Sequence, residues 1–291
     1  MDIDKHIKET EDIICKYLPK EEGFCKTVIE AMNYSFLAGG KRIRPMLMLE
    51  TYRMFSGKDA AIEPFMAGME MLHTSSLIHD DLPAMDDDKY RRGRLTNHMV
   101  FGEAMAILAG DALMLYAFET CAKAYSKRAG DEAIGRAISV FANKAGIYGM
   151  VGGQTLDVQM EGKPLTIEQI EYIHHNKTGA LIEASMMIGA ILAHADDEKV
   201  DKIRQIARNI GLAFQIIDDI LDVEGDKDII GKPIGSDEQN NKTTYVTLRG
   251  IQGAKEDAKA LSNQAIELLD SFEEKNEFLN QLIRLLLNRK R

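Results

Sequence analysis

The sequence predicts an all-α fold built as one domain. Three observations carry this. Apolar residues recur at helical spacing nearly throughout, few segments alternate with period two, and only six prolines interrupt 291 residues. At 45% apolar and 28% charged, the chain can bury a sizeable core and lacks a disordered composition. Its length suits one large domain or two small ones. No linker, low-complexity tract or strong short repeat divides it, so residues 1–291 read as a single domain.

Taken in order, the spacing predicts helices over 2–17, 22–37, 45–55, 60–81, 103–125, 131–151, 166–174, 179–193, 197–222, 253–270 and 273–289. The first is charged and amphipathic ("MDIDKHIKETEDII") and has no apolar core of the signal-peptide kind. The second ends at the glycine pair of "GGKRIRP" (39–45), and Pro45 is placed to open the third. The fourth is long and apolar and is stopped by Leu82-Pro83. The next three follow from apolar spacing alone. "HNKTGA" precedes the helix over 179–193, and the helix over 197–222 ends in "DDILD". Two stretches read as loops, 82–98 and 224–243, rich in Gly, Asp, Asn and cations. Each follows a helix that ends in aspartates, a layout suggestive of an internal pseudo-repeat.

The net charge is −10 and the pI near 5.3, which argues against nonspecific nucleic-acid binding. Cys15, Cys25 and Cys121 form no close metal-binding pair, and so sparse a count suits a reducing compartment. No run of 18 apolar residues exists, so no membrane span is expected and the cytoplasm is the default location.

The helix expected over 197–222 ends in "GLAFQIIDDILD" (211–222). At about 100° per residue, Gly211, Asp222, Gln215 and Asp219 fall within roughly 100° of Asp218, and apolar side chains cover most of the rest. A surface helix has the opposite balance. The helix is therefore expected to be buried, with a narrow carboxylate stripe facing a polar cavity that must hold cations. The end of the fourth helix follows the same logic. Asp80 and Asp81 close it, Asp86 follows across the turn, and His73 lies two turns back near the Asp80 face. Asp87 and Asp88 are expected further out. Two such clusters around one cavity repel unless divalent cations intervene. Mg²⁺ fits, since it takes one or two carboxylates and completes its shell with water and phosphate oxygens. Calcium-loop spacing is absent.

Cations stand beside these carboxylates: Lys41 and Arg44 near a helix N-terminus, Arg91 and Arg92 after the first cluster, Lys177 with Thr178, and Lys232 and Lys242 after the second. The combination suits a polyphosphate substrate. No Walker loop is present, which argues against nucleotide hydrolysis of that kind.

These residues resemble the trans-prenyl diphosphate synthases. "DDLPAMD" (80–86) is similar to the family's first aspartate-rich motif and "DDILD" (218–222) to its second. "GGKRIRP", "RRG" (91–93), "GGQ" (152–154), "KTG" (177–179) and "FQ" (214–215) follow in family order over nearly the whole chain. The strongest likeness is to the bacterial farnesyl diphosphate synthases (geranyltranstransferases). The resemblance implies an isoprenoid synthase-type helical bundle around a deep central cavity, as a homodimer. It implies head-to-tail coupling of isopentenyl diphosphate to dimethylallyl or geranyl diphosphate.

By resemblance, Asp80, Asp86 and Asp218 hold Mg²⁺ on the allylic diphosphate, supported by Asp81, Asp219 and Asp222. About three ions are expected with substrate bound, with Mn²⁺ as an expected substitute, since it shares the octahedral oxygen chemistry. Arg91, Lys177, Lys232 and Lys242 would bind that diphosphate. Gly40, Lys41, Arg44, His73 and Arg92 would hold isopentenyl diphosphate. Phe214, Gln215, Thr178 and the Lys177 carbonyl would face the reacting allylic group. Ser75, five residues before Asp80, stands where many farnesyl-producing relatives carry an aromatic residue. Ser75 and Ser76 would line the tail pocket roughly 6–8 Å below the metals, with Leu72 and Met71 as floors. Farnesyl diphosphate is the expected product, with elongation to the C20 stage. "KTTYVT" departs from the family at Val246, where proline is common.

Three alternatives are weaker. An HD-type phosphohydrolase needs further histidine ligands and leaves the second cluster unexplained. A terpene cyclase carries a different second motif. A non-catalytic synthase subunit tends to lose the aspartates, and both clusters here are intact.

Overall fold

The computed structural model describes residues 2–224 and 243–288. Within them the protein is helical: α1 (Ile3–Ile14), α2 (Lys26–Phe36), α3 (Ile43–Met54), α4 (Glu63–Asp80), α5 (Asn97–Phe101), α6 (Glu103–Ala122), α7 (Glu132–Ala145), α8 (Met150–Gln159), α9 (Ile167–Ile173), α10 (Ala180–Leu192), α11 (Asp197–Glu224), α12 (Tyr245–Asp270) and α13 (Glu277–Leu287). A two-residue hairpin, β1 (Tyr90–Arg91) and β2 (Arg94–Leu95), pairs antiparallel in the loop after α4.

Local chemistry explains many ends. Asp2, Asp131 and Asn276 accept backbone N–H groups at the starts of α1, α7 and α13. Thr166 with Gln169, and Thr244 with Thr247, close capping boxes on α9 and α12. Pro64 sits in the first turn of α4.

Nearly every residue of α4 from Pro64 to Ser75 is buried, as is nearly every residue of α10. These two helices are the inside of the bundle. α3 and α6 pack on α4, while α3, α7 and α11 pack on α10. A second, smaller core joins α9, α11 and α12 through Ile170, Leu212, Ile216 and Tyr245.

The helix expected over 131–151 is two helices. It breaks at Gly146–Gly149, where Gly149 adopts φ −145° and ψ −126°, and α8 begins at Met150. Two more glycines lie inside α8, a composition that hides a helix from spacing rules. The helix expected over 253–270 starts at Tyr245 and is interrupted at Gly250 (φ 67°, ψ 160°). α3 starts at Ile43, ahead of Pro45. The short α5 and the hairpin occupy what was expected as plain loop. The second expected loop falls, apart from its ends, outside the described residues, and Lys232 and Lys242 with it.

One helical stretch, Glu103–Ser126, is long and apolar enough by length and composition to cross a membrane, which the count of contiguous apolar residues did not flag. About 39% of that window is buried, against α4 and α2.

Candidate active site

Asp80 and Asp81 are adjacent in sequence but part company, because successive helical residues point about 100° apart. Asp80 lines the main cavity, where Gln154 Nε2 donates to its Oδ1 at 2.9 Å. Asp81 turns the other way, is buried, and accepts from Arg91 Nε at 2.5 Å. Arg91 also reaches Asp88 at 3.3 Å. Burial pushes the Asp81 carboxyl up to about 6, opposed by Arg91. Burial also raises Asp80, opposed by Lys177 and reinforced by Asp86. Asp86 is brought back toward Asp80 by the turn, its N–H donating to the Asp80 carbonyl at 2.9 Å. Asp87 and Asp88 are exposed, as expected.

Lys177 and Thr178 lie on a π-helical turn, His174–Gly179, between α9 and α10. Such turns are rare and occur often at functional sites. Glycines permit this one. A Cβ on Gly153 would sit 2.2 Å from Lys177 N, and one on Gly211 would sit 2.9 Å from the Gly179 Cα. The turn is thus wedged between α8 and α11. Lys177 Nζ pairs with Asp157 Oδ2 at 2.7 Å, and Thr178 Oγ1 donates to Gln215 Oε1 at 3.0 Å. On α11, Asp218 is exposed, while Asp219 and Asp222 are half-buried. Asp219 Oδ2 accepts the Tyr245 N–H at 2.8 Å and lies 3.4 Å from His174 Nε2. Asp219 therefore ties α11 to the start of α12 and to the π turn. Phe214 is half-buried and packs on the main core.

A cationic site forms where the "GGKRIRP" turn meets the hairpin. Arg92 donates to the Gly39 carbonyl, and a Cβ on Gly40 would collide with its guanidinium at 2.8 Å, so only glycine leaves room. Arg44 lines the main cavity with His73, and its buried Nε has no partner among the described residues. Burial and the charges of Arg44 and Arg92 hold the His73 imidazole well below its ordinary pKa, hence neutral. Lys41 is exposed.

The cavity that Asp80, Lys177, Thr178, Arg44 and His73 share has a volume of about 530 Å³. In the same cavity the apolar side chains of Leu77, Met114, Met150, Val151 and Leu181 form part of the wall. Ser76 lines it. Ser75 is fully buried, donates to the Leu72 carbonyl at 2.8 Å, and is not among the residues lining this cavity; Leu72 and Met71 are packed in the core.

Among the described residues, no three His, Cys, Asp or Glu side chains group into a preformed metal site. The donors offered are carboxylate oxygens with few protein ligands each, which fits Mg²⁺ completed by water and phosphate. Asp80, with its proton affinity raised by burial and by Asp86, is a carboxylate short of positive charge.

Four residues of this region were given no role from sequence: Gln154 and Arg42, met only inside "GGQ" and "GGKRIRP", and Asp157 and Glu70. Gln154 and Asp157 sit on α8, the helix its glycines concealed; their i, i+3 spacing was the available signal. Arg42 and Glu70 form a buried pair beside the cations, and Glu70 preceding His73 by three on an otherwise apolar helix was the sign of it.

A family model described as polyprenyl synthetase matches residues 25–286. The farnesyl diphosphate synthase of Geobacillus stearothermophilus is 50% identical over 84% of this chain and 82% of that protein. The chloroplastic geranylgeranyl pyrophosphate synthase of Catharanthus roseus is 47% identical over 84% of this chain and 68% of that one. A Helicobacter pylori geranyltransferase, solved in complex with magnesium and isoprenyl diphosphate, superposes with a TM-score of 0.83 at 32% identity, covering 98% of this chain and 95% of that chain. An all-α bundle whose wedged Lys-Thr turn shares a cavity with Asp80 of the first aspartate motif thus comes with matching relatives over most of its length, and the chain belongs to the polyprenyl synthetase family.

Proposed function

We propose that this chain is a short-chain prenyltransferase that condenses isopentenyl diphosphate head-to-tail with dimethylallyl and geranyl diphosphate, releasing farnesyl diphosphate as its main product. The observation that carries the reading is the shared cavity, in which Asp80, Lys177 and Thr178 line one space with the apolar Leu77, Met114, Met150 and Leu181. The named activity of the Geobacillus relative and the magnesium in the Helicobacter complex support it.

Asp80, Asp86 and Asp218 would hold Mg²⁺, with Asp81, Asp219 and Asp222 in support. Bound Mg²⁺ would neutralise the charge that builds on the departing allylic diphosphate. Lys177 adds its ammonium at the mouth once Asp157 yields it. Thr178, fixed by Gln215, presents its oxygen to the wall where positive charge develops. Arg44, Lys41, Gly40 and Arg92 would anchor isopentenyl diphosphate, and neutral His73 contributes a hydrogen bond without competing charge. The apolar wall excludes water that would quench the allylic cation. The departing diphosphate would take the final proton.

Ser76 is small, so elongation to the C20 geranylgeranyl product is a second reading, as the Catharanthus relative's name suggests. Ile107, Leu108 and Leu115 leave one stripe of α6 apolar and exposed, which supports a homodimer packed on that helix. The three free cysteines suit the reducing cytoplasm. The test is incubation with radiolabelled isopentenyl diphosphate and each allylic primer, with products resolved by chain length. Farnesyl diphosphate as the dominant labelled product is expected; absence of any labelled prenyl product overturns the reading.

A further inference from the structure

Glu70 and Arg42 belong to neither aspartate motif, and no step above uses them. Arg42 is almost fully buried, 3% exposed, and its backbone is left-handed at φ 48°. It ends a run of unusual backbone in which Gly39 and Gly40 also have positive φ. A non-glycine residue keeps such a conformation only where its surroundings over-determine it. Here they do. Arg42 Nη1 donates to Glu70 Oε1 at 2.6 Å, Nη2 to the Phe36 carbonyl at 2.8 Å, and Nε to Glu11 at 3.2 Å. Its guanidinium also lies 5.3 Å from the centre of the Phe36 ring.

Glu70 is 2% exposed and sits on α4 one turn before His73. It answers more than Arg42. Burial lowers the proton affinity of Arg44 and of Arg92, and Glu70 is the leading group that opposes this at both. One buried carboxylate thus faces three guanidiniums, two of which are assigned above to isopentenyl diphosphate. The two loops that carry them meet where Arg92 donates to Gly39 and fills the space left by Gly40.

We infer that the buried Glu70–Arg42 pair is a positioning device for the isopentenyl diphosphate site, locking the left-handed turn at 39–42 so that Gly40, Lys41, Arg44 and Arg92 converge on one anion. The inference rests on the proposed function. Glu70 does not touch the substrate. It acts through Arg42 on the backbone of the turn and through charge on Arg44 and Arg92. Of the allylic side, Asp80 lies on α4 ten residues beyond Glu70, nearly three turns away, and Lys177 and Thr178 lie on the π turn, so that side is expected to be little changed.

The test is steady-state kinetics on Glu70→Gln, Arg42→Lys and the apolar double variant Arg42→Met/Glu70→Met, each with its thermal unfolding midpoint. Lysine cannot span three acceptors, and glutamine leaves Arg42 without its buried counter-charge. Each single variant is expected to raise KM for isopentenyl diphosphate about tenfold or more, with kcat and KM for geranyl diphosphate within about threefold of the parent. The double variant removes both buried charges together, so its unfolding midpoint is expected to return toward the parent while KM for isopentenyl diphosphate stays high. If the double variant restores that KM, the pair only stabilises the fold and the inference fails. It fails equally if KM for both substrates rises together, or if neither moves. Should Glu70→Gln not fold, Arg42→Lys and the double variant decide the matter alone. A parent enzyme with no turnover would sink the proposed function instead, a separate result.

Discussion

Lys177 Nζ and Asp157 Oδ2 lie 2.7 Å apart, so the cation at the mouth of the cavity is already neutralised by the protein's own carboxylate. A diphosphate entering the mouth must displace Asp157. The pair also orients the π turn that carries Thr178. Asp157→Ala is therefore expected to lower kcat by about tenfold or more through lost orientation of Lys177 and Thr178. Stability should change by only about 1 kcal/mol, since both side chains retain some solvent contact. Kinetics with a thermal unfolding curve check this; parental kcat in the variant contradicts it.

The second aspartate motif divides into unlike residues. Asp218 is exposed, whereas Asp219 is half-buried and accepts the Tyr245 N–H. Asparagine keeps an acceptor oxygen but not the charge. Asp218→Asn is expected to lower kcat by about 10³-fold, an electrostatic loss, while Asp219→Asn stays within about tenfold of the parent. Equal losses would show that Asp219 acts by its charge, as a metal ligand does.

His175 provides a pH prediction. Burial, with Arg208, His174 and Lys144 nearby, holds its pKa at about 4, against 6.5 for the free side chain. The folded value is depressed, so the neutral ring favours the fold above about pH 6.5. That contribution is lost as pH falls toward about 4 and amounts to at most about 3 kcal/mol. Urea midpoints at pH 7 and pH 4.5 should differ less in His175→Gln than in the parent. An unchanged pH slope in the variant refutes the assignment.

Chain length is expected to answer to Ser76. It lines the cavity wall, so Ser76→Phe should shorten the product distribution, reducing any C20 fraction. Ser75→Tyr instead meets packed core, and should destabilise the protein by about 1–3 kcal/mol. Product chromatography and unfolding midpoints separate the two. A product shift from Ser75→Tyr with none from Ser76→Phe would reverse this assignment.

Much of this site was legible in the chain because its chemistry is unusual. Carboxylates closing long apolar helices are costly unless something answers them, and that alone marked Asp80, Asp81 and Asp218. At about 100° per residue Ser76 falls near the Asp80 face and Ser75 well round from it, and the cavity lining divides them the same way. Periodicity found α4, α10 and α11 because each is long and continuous. It lost α8, whose four glycines between 146 and 153 break the chain and then let it press against Lys177. With that helix unseen, Gln154 was met only inside "GGQ", and Asp157 not at all. Nor can spacing show which way a carboxylate turns: Asp81 toward Arg91 and Asp219 toward Tyr245 are tertiary facts, decided by what packs nearby.

On this reading the carboxylates work through divalent metal on a diphosphate. Its most direct test is the incorporation of labelled isopentenyl diphosphate into geranyl diphosphate, measured in Mg²⁺, in EDTA, and after Mg²⁺ is restored. The account predicts labelled C15 product with Mg²⁺, none in EDTA, full recovery on restoration, and a loss of about 10³-fold or more in Asp80→Ala under saturating Mg²⁺. Undiminished turnover in the chelated sample, or parental turnover in Asp80→Ala, would contradict it.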